Sequence, residues 1–491
     1  MSGGIDPVEV LARLDELRAL DAPAHGGRLL AYVYDPGRPE LDELAAAAIR
    51  RMQPVNGLDP TTFRSVAVLE RELVGFAREV FHGDGEVVGT ATSGGTESCL
   101  LAVKTARDAW RARGGRGVPR LVAPTTAHAA FRKAAALLGL DLDLVSVDPA
   151  TSAVRVESVV ERLGPDVALV VLSAPSYPHA GLDPIPEVAA AALAAGVDVH
   201  VDACIGGFAL AFWPAGAPGA PSIPWDFRVP GVTSLSADLH KYGYAPKGVS
   251  VLLQRGPDRQ RHQWFATSAW PGYPVVNSTL LGSKSAAPLA AAWAIVTALG
   301  TEGFGELVAS MARSTSRLRD AVGAIEGLAI LGDPVGPMLA VATDDAVAPE
   351  RRVDPHHWAD AIREQGFVIQ HQPASRQPDG TVLPPTAHLT ITPVTEALVD
   401  ELAAASVAAA DAVRGRPHLD GAELVGALLG ELPPLTADTL DVATARAVLA
   451  AAGLLDGGLG PLAPVLALVE TLPPPVVERL LVELLASLVD P

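Results

Sequence analysis

The chain has 491 residues, of which 49% are hydrophobic and 19% are charged, and its formal net charge is −19. This composition supplies a buried core and excludes an intrinsically disordered chain, and no basic stripe suggests a nucleic-acid partner. The acidity suits a soluble protein that acts on a small-molecule substrate.

The sequence contains few features that indicate a cellular compartment or a membrane-spanning segment. Cys99 and Cys204 are the only cysteines, too few for a disulfide framework, and no CxxC pair suggests zinc, so we expect a reducing compartment and no metal. The N-terminus lacks the apolar core of a signal peptide. Residues 285–301 are uncharged but too short to span a bilayer, which favours a buried helix. We therefore expect a cytoplasmic protein without membrane insertion.

In chain order, an N-terminal segment (1–60) precedes a region (61–305) in which apolar runs alternate with amphipathic helical stretches. The runs "EVVGTAT", "RLVAP", "VALVVLSAP" and "VDVHVDAC" are typical of strands. Such alternation predicts an α/β fold, a mainly parallel sheet covered by helices on both faces.

The rest of the chain follows a different pattern. Residues 306–415 mix helical and strand patterns and predict a smaller α+β domain. The tail, 416–491, is helical, acidic and leucine-rich. We expect it to serve packing or subunit contact and assign it no part in the chemistry.

The stretch "TSGGTES", residues 92–98, follows a predicted strand and begins a predicted helix. Glycines at 94 and 95 let backbone N–H groups approach an anion, a helix N-terminus favours a phosphate, and Thr96 adds a hydroxyl. Gly95 and Thr96 are therefore candidate phosphate ligands. An ordinary capped turn explains the same letters equally simply.

Two further polar residues stand at ends of predicted elements. Asp202 ends the strand in "HVDAC", where an acid could hold a proton on a pyridine nitrogen or could cap the next helix. His128 in "TAHAAF" begins a helix, where it could stack on a cofactor ring or act as a cap or packed residue.

The stretch "SADLHKYGYAPKG", residues 236–248, contains two of only five lysines in the chain, Lys241 and Lys247. A catalytic lysine needs a carbonyl partner, which pyridoxal phosphate (PLP) most commonly supplies. Phosphate cradle, ring stack, nitrogen partner and Schiff-base lysine thus occur along one α/β domain, where ligands bind at the carboxyl ends of strands.

Together these stretches resemble the PLP-dependent group II decarboxylase superfamily of fold type I, most closely its sphingosine-1-phosphate lyase branch. The matching text comprises "TSGGTES", "TAHAAFRKAA", "SAPSYPHAGLDPI", "HVDACIGGF", "SADLHKYGYAPKG", "GSKS" and "PPTAHLTITPV", and the likeness covers roughly residues 50–400. The resemblance implies an aspartate-aminotransferase-like fold with a seven-stranded-type sheet.

The resemblance also implies roles for individual residues. Lys241 would bond to the cofactor, Asp202 would pair with its ring nitrogen, and His128 and Cys204 would lie on the two faces of the ring. The phosphate would be held by Gly95, Thr96 and His240, and by Ser283 from the partner in a homodimer with shared active sites.

On the substrate side the resemblance is less complete. Lys247 would face a substrate phosphate; the alternative is a lysine that caps the following strand at the solvent. The lyases carry a histidine before the sheet domain, but "VNGLDPTTFRS" has only Asn56 nearby. Tyr32 or Tyr34 would match a substrate-side tyrosine of the lyases.

We therefore predict a carbon–carbon lyase that cleaves a phosphorylated 2-amino-alcohol. The alternative is an L-amino-acid decarboxylase with the same cofactor site, and a scaffold without chemistry is a third hypothesis. The sequence does not specify the substrate's chain length, its head group or the residue that acts as base.

Overall fold

The computed structural model describes residues 3–429, 436, 440–455 and 460–490. Three helices precede the sheet: α1 (Pro7–Arg18), α2 (Pro39–Met52) and α3 (Arg64–Val80). Helices α2 and α3 bury apolar positions against the sheet domain, whereas α1 buries none of its residues. Val8, Leu11 and Leu14 of α1 are 74%, 62% and 55% exposed. Helix α1 therefore presents apolar side chains to solvent in the single chain.

A seven-stranded sheet forms the centre of the large domain, in the order β1-β7-β6-β5-β4-β2-β3. Strand β7 is antiparallel to β1 and β6, and the remaining pairs are parallel. All seven residues of β4, "VALVVLS", are buried, because helices cover both faces of the sheet. The predicted α/β fold is confirmed. The strands are β1 (Val87–Thr92), β2 (Arg120–Pro124), β3 (Asp141–Val145), β4 (Val167–Ser173), β5 (Asp198–Asp202), β6 (Ser234–Ala237) and β7 (Ser250–Arg255).

The segments between these strands place polar side chains at one edge of the sheet. The loop after β1 carries the paired glycines, the loop after β2 ends at His128, and β5 ends at Asp202. Since parallel strands end at the same edge, these residues converge. The connecting helices are α4 (Gly95–Ala112), α5 (Ala129–Leu138), α6 (Val156–Val160), α7 (Ile185–Ala195), α8 (Gly207–Ala211) and α9 (Pro257–Arg261), followed by the hairpin β8 (Phe265–Thr267) and β9 (Val275–Asn277).

Helix α10 (Ala287–Gly323) runs from the sheet domain into the small domain and is interrupted at Gly300, where φ is 53° and ψ is −174°. Among the described helices it is the one that is long and apolar enough to cross a membrane, and 56% of its most apolar 18-residue window is buried inside the fold. That burial agrees with the predicted buried helix. The predicted domain boundary at 305/306 falls within α10.

The small domain is built on an antiparallel sheet in the order β10-β11-β15-β12. Helices α11 (Pro355–Glu364) and α12 (Val399–Val413) pack on it around the fully buried Trp358. Its strands are β10 (Leu328–Ile330), β11 (Met338–Thr343), β12 (Gln370–Gln372) and β15 (Thr386–Thr390), with a separate hairpin of β13 (Ser375–Arg376) and β14 (Val382–Leu383).

The tail forms helices α13 (Gly421–Leu429), α14 (Val442–Ala451), α15 (Ala463–Thr471) and α16 (Pro474–Ser487). Helix α15 contacts the small domain at both of its ends. Asp360 of α11 accepts hydrogen bonds from the N–H groups of Leu462 and Ala463, at 2.8 and 2.9 Å. At the other end Glu470 accepts one from Ala374 N, at 2.7 Å.

Candidate active site

A cavity of about 320 Å³ lies at the carboxyl ends of the central strands. It brings together most of the cofactor residues expected from the sequence. Its lining consists of Ser93, Gly94, Gly95, Thr96, Glu97, Cys99, His128, Ser173, Pro175, Tyr177, Asp202, Cys204, Ile205, Asp238, His240 and Lys241.

The glycine loop after β1 approaches the cavity floor so closely that no side chain fits. A Cβ on Gly95 would lie 2.7 Å from Asp238 Oδ2 and 2.9 Å from Cys204 Sγ, and a Cβ on Gly94 would lie 3.2 Å from His240 Cε1. Gly95 also begins the 18-residue helix α4, whose first N–H groups have no partner within the helix. The loop therefore forms an anion cradle of backbone donors.

Glu97 holds this loop in place through both of its carboxylate oxygens. Oε2 accepts a hydrogen bond from Ser93 N at 2.6 Å, and Oε1 accepts one from Leu280 N at 2.8 Å. The cradle is thus tied to the segment that leads to Ser283. Thr96 lines the cavity beside it.

Lys241 faces a buried carboxylate that sequence reasoning missed. Its Nζ lies 3.1 Å from Asp238 Oδ2, and Asp238 Oδ1 accepts a hydrogen bond of 2.6 Å from Ser250 Oγ. Burial lowers the pKa of Lys241, but attraction to Asp238 together with smaller contributions from Tyr34, Cys204 and Asp202 outweighs it, so the net shift is upward. Burial likewise raises the pKa of Asp238, and Lys241 and His240 reverse that shift to a net lowering. The residue is the third letter of "SADLHK", three positions before the lysine.

Asp202 stands at the end of β5, with its carboxylate at the cavity wall. Oδ1 accepts a hydrogen bond from Cys204 N at 3.0 Å, and Ser236 Oγ lies 3.5 Å from the same oxygen. The side chain is buried. Its position matches the expected partner of a ring nitrogen, and it does not cap the next helix, because the N-cap of α8 is Gly206 without a side-chain hydrogen bond.

His128 and Cys204 line the same cavity. His128 is the N-cap of α5, and its Nδ1 accepts a hydrogen bond from Ala130 N at 3.2 Å, which holds the ring at the cavity mouth. Capping and ring stacking are therefore compatible roles. A hydrogen bond with Cys99 and burial raise the pKa of Cys204, so it is a neutral thiol.

Two buried polar atoms around the cavity have no protein partner among the described residues, Ser173 Oγ and His240 Nδ1. Burial also lowers the pKa of His240, which favours its neutral form. Unpaired buried polar atoms are costly unless a ligand satisfies them. Together with the glycine cradle, they fit a phosphorylated, polar ring such as pyridoxal phosphate.

The substrate-side candidates divide into two groups, and the first consists of Lys247, Tyr34 and Tyr32. Lys247 Nζ donates a hydrogen bond to His240 O at 3.1 Å and lies 4.6 Å from the ring centre of Tyr34. Burial, helped by the charge of Lys241, lowers the pKa of Lys247 to about 8. Lys247 is exposed, and neither it nor Tyr34 is among the cavity-lining residues, while Tyr32 is 64% exposed and has a φ of 63°.

Asn56 and Ser283 form the second group, and neither lines the cavity of its own chain. Asn56 Nδ2 lies 3.5 Å from Ser283 Oγ, and Asn56 Oδ1 accepts hydrogen bonds from Leu58 N and Lys284 N, at 3.0 and 3.3 Å. Ser283 is exposed. These two candidates thus lie together on a surface segment.

Tyr177 is a further cavity residue that the sequence reasoning did not single out. Its hydroxyl donates a hydrogen bond to Gln370 of the small domain, and its ring lies 4.7 Å from that of His388. Burial raises the pKa of Tyr177. It lies in the quoted stretch "SAPSYPHAGLDPI", but spacing alone could not place its hydroxyl opposite Lys241.

Comparisons with known proteins agree with this geometry. Residues 64–335 match the family described as the pyridoxal-dependent decarboxylase conserved domain, and residues 422–487 match a pyridoxal-dependent enzyme C-terminal putative HTH domain. The chain is 38% identical over 343 residues to sphingosine-1-phosphate lyase 1 of Rattus norvegicus, which covers 70% of this chain and 60% of that protein. The Saccharomyces cerevisiae lyase is 32% identical over 406 residues, covering 82% and 66%.

Comparison with solved structures agrees with these sequence matches. The sphingosine-1-phosphate lyase of Burkholderia pseudomallei superposes with a TM-score of 0.77 at 30% identity, covering 88% of this chain and 97% of that one. Lactobacillus brevis glutamate decarboxylase superposes with a TM-score of 0.72 at 20% identity, covering 85% and 95%, which shows the shared fold. The match spans about 60% of the length of the rat and mouse lyases.

Proposed function

The chain belongs to the pyridoxal-dependent decarboxylase family and depends on pyridoxal phosphate, and from this premise we propose that it is a carbon–carbon lyase that cleaves a phosphorylated 2-amino-alcohol to an aldehyde and an amino phosphate. The curated relatives named sphingosine-1-phosphate lyase support this choice. We further propose a sphingoid-base phosphate as the substrate class.

One observation carries the proposal: the ammonium of Lys247 on the substrate side. It lies over Tyr34 and donates to one backbone carbonyl, and within the described part of the chain its other N–H bonds have no acceptor, so they can meet a substrate phosphate. Lys247 is exposed, and the contact of its ammonium with the half-buried Tyr34 is what distinguishes it from a lysine that only caps the strand at the solvent. The position thus supports a phosphate on the substrate.

The cavity lining also disfavours the decarboxylase alternative. An α-carboxylate is most often held by the bidentate fork of an arginine, and none of the described residues that line the cavity is an arginine. The glutamate decarboxylase likeness concerns the fold alone. The described cavity lining thus offers no arginine fork for a carboxylate, while Lys247, the cation proposed for the substrate phosphate, lies outside that lining beside Tyr34.

When bound, pyridoxal phosphate supplies a carbonyl that links to an amine and a ring that accepts an electron pair. Lys241 provides the protein's amine, and Asp238 holds that amine over the cavity. Asp202 would hold a proton on the ring nitrogen, and the backbone donors at Gly95 and Thr96 would bind the phosphate.

Two tyrosines lie on the substrate side and stay protonated. Burial raises the pKa of Tyr34 to about 12, and burial also raises that of Tyr177, so both hydroxyls remain protonated at neutral pH. The Tyr34 hydroxyl can donate a hydrogen bond to a substrate oxygen, whereas the Tyr177 proton is already donated to Gln370, and neither hydroxyl serves as a resting base. The neutral thiol of Cys204 and the ring of His128 would exclude water from the two ring faces.

We also propose that the working form is a homodimer in which Ser283 reaches the partner's cofactor phosphate. Ser283 and Asn56 do not line the cavity of their own chain, and Ser283 is exposed together with Leu280 and Leu281, which are 57% and 45% exposed, while Asn56 is half-buried. Apolar residues of α1 and of the β8–β9 hairpin are exposed as well, including Tyr273 at 60%. A second copy would cover these surfaces and bring the paired residues to its own cavity.

The experiment is a substrate panel on the PLP-loaded protein. Sphingoid-base phosphates, their dephosphorylated analogues and L-amino acids are incubated separately, and aldehyde and carbon dioxide are measured. Aldehyde from the phosphorylated compounds alone is the expected result. Carbon dioxide from an amino acid without aldehyde would replace the lyase by the decarboxylase.

A further inference from the structure

A cluster of histidine and carboxylate side chains lies where the tail meets the small domain, away from the cofactor cavity. Asp354 and His356 stand at the start of α11, and His418 precedes α13 in the tail. One candidate ligand atom from each of the three residues lies within 4.8 Å of the others. The cluster therefore has the size of a metal site.

Each of the three side chains is held in place by hydrogen bonds at an atom other than the one that would bind the ion. Asp354 Oδ1 accepts two backbone hydrogen bonds of 2.9 Å in the first turn of α11. His356 Nε2 lies 2.9 Å from Gln372 O, and His418 Nε2 lies 2.7 Å from Glu470 Oε2. Histidine ligands in proteins are typically fixed by a carbonyl or carboxylate on the other ring nitrogen, which is the pattern found here.

His356 supplies the independent sign of a missing partner. The residue is 0% exposed, and its Nδ1 has no hydrogen-bond partner among the described residues. Because Nε2 faces a carbonyl, that nitrogen carries the proton and the lone pair belongs to Nδ1. A buried lone pair without a donor is unfavourable, and a cation would satisfy it.

We propose that Asp354, His356 and His418 bind a divalent transition metal of the zinc type. Two imidazoles and one carboxylate suit zinc, and a water would fill the fourth position. The His418 side chain is 39% exposed, which leaves a path for the ion. The ion would take the place of the 2.7 Å hydrogen bond between His418 Nδ1 and Asp354 Oδ2.

A metal ion bound at this site would hold the tail against the small domain. Glu470, which orients His418, belongs to α15, and the same carboxylate accepts the hydrogen bond from Ala374 N. Ordering His418 on the ion therefore also fixes α15. Metal binding that requires the folded arrangement adds its free energy to folding.

The test uses the full-length, PLP-loaded protein without a histidine tag, because bound PLP blocks the separate Cys99, Asp202 and Cys204 cluster in the cofactor cavity. The protein is dialysed against a chelator and titrated with zinc chloride, with metal content and melting temperature measured. We expect about one zinc ion per chain and a higher melting temperature with zinc.

The variants separate a metal site from a simple hydrogen-bonded bridge. His418→Ala should lose the zinc and the zinc-dependent rise in melting temperature. Glu470→Gln, which keeps the shape of the side chain, should weaken zinc binding by about tenfold to a hundredfold. His357→Ala alters the adjacent histidine of the same helix and should bind zinc like the unaltered protein.

Two results would overturn the proposal. The first is an unaltered protein that binds no zinc during the titration. The second is zinc binding by both His418→Ala and Glu470→Gln with unaltered affinity. In either case His418 is a hydrogen-bonded bridge between two carboxylates. Retained PLP absorbance shows that each variant is folded.

Discussion

Lys241 lies next to Asp238, and this carboxylate keeps the lysine amine positively charged before PLP binds. The carboxylate is 1% exposed and 3.1 Å from Nζ, so the pair behaves as a buried ion pair within the cavity. Without PLP the lysine is therefore held protonated and aimed at the centre of the site. Covalent attachment requires that this proton leave.

The first prediction concerns Lys241→Ala. Because only an amine can bond covalently to the cofactor carbonyl, the variant should bind PLP without a covalent link and lose activity by about a thousandfold or more. Borohydride reduction followed by peptide mapping measures the link directly. The surface variant Lys133→Ala should keep it. A label on Lys104, Lys133 or Lys284 would contradict the assignment.

The second prediction concerns Lys247 and pH. Its pKa is lowered to about 8, so the ammonium is charged below that pH and neutral above it. For a phosphorylated substrate, kcat/KM should therefore fall as pH rises through about 8. Lys247→Met should lower kcat/KM by roughly tenfold to a hundredfold and remove this decline.

The dephosphorylated analogue is the control for that profile. Its kcat/KM should change little in Lys247→Met and should show no such decline near pH 8. An equal loss on both substrates would identify Lys247 as a structural lysine.

At the scale of single residues, the sequence predicted which residues line the cofactor cavity better than it predicted which residues contact each other. Gly95, His128 and Asp202 could be placed in one cavity, because each stands at the end of an apolar strand or the start of a helix, and Lys241 was placed there by the resemblance of "SADLHKYGYAPKG" to the family. Asp238 could not, because its partner depends on how the chain turns between β6 and Lys241. Asn56 was placed at the substrate, but its contact is Ser283, 227 positions away in the chain.

Among the elements, the junction of β1 and α4 depends most strictly on residue size. The third prediction is that Gly95→Ala weakens PLP binding by about tenfold to a hundredfold, since its Cβ would lie 2.7 Å from Asp238 and force the loop away. Titration of the apo-protein with PLP, followed by absorbance, measures this. Gly75→Ala, on a helix with no atom within 4 Å, is the matched control. Unchanged affinity in Gly95→Ala would contradict the cradle.

The element pattern was predictable where periodicity was strong. Continuous apolar runs identified β4 and β5, and the buried stretch 285–301 was recognised as helix. A helix over residues 303–325 was predicted as well, but its continuity with the preceding helix was not, because the interruption between them depends on the backbone of one glycine, Gly300. The tail was set apart from the chemistry, although His418 at its start joins the cluster with Asp354.

At the scale of the whole molecule, the shared-site homodimer makes a quantitative prediction. Lys241→Ala chains and Ser283→Trp chains should each be inactive alone. Unfolded and refolded together in equal amounts, half of the dimers are mixed and each has one intact site, so about one quarter of full activity should return.

The control for this experiment mixes Lys241→Ala with Asp202→Asn, whose defects both fall within one chain's own cavity. Its mixed dimers contain no intact site and should recover no activity above that of Asp202→Asn alone. A fully active monomer in light scattering would contradict the shared site.

The interruption of α10 at Gly300 has a mechanical consequence. One helix carries the chain from the sheet, where the cofactor residues lie, into the domain that supplies Gln370 to Tyr177. A displacement of the small domain must therefore either tilt the whole helix or bend it, and the bend belongs at the residue that lacks helical geometry and has open space around it. We therefore expect any movement of the small domain relative to the sheet to occur as rotation of the two halves of α10 about Gly300, which would shift Gln370 relative to Tyr177.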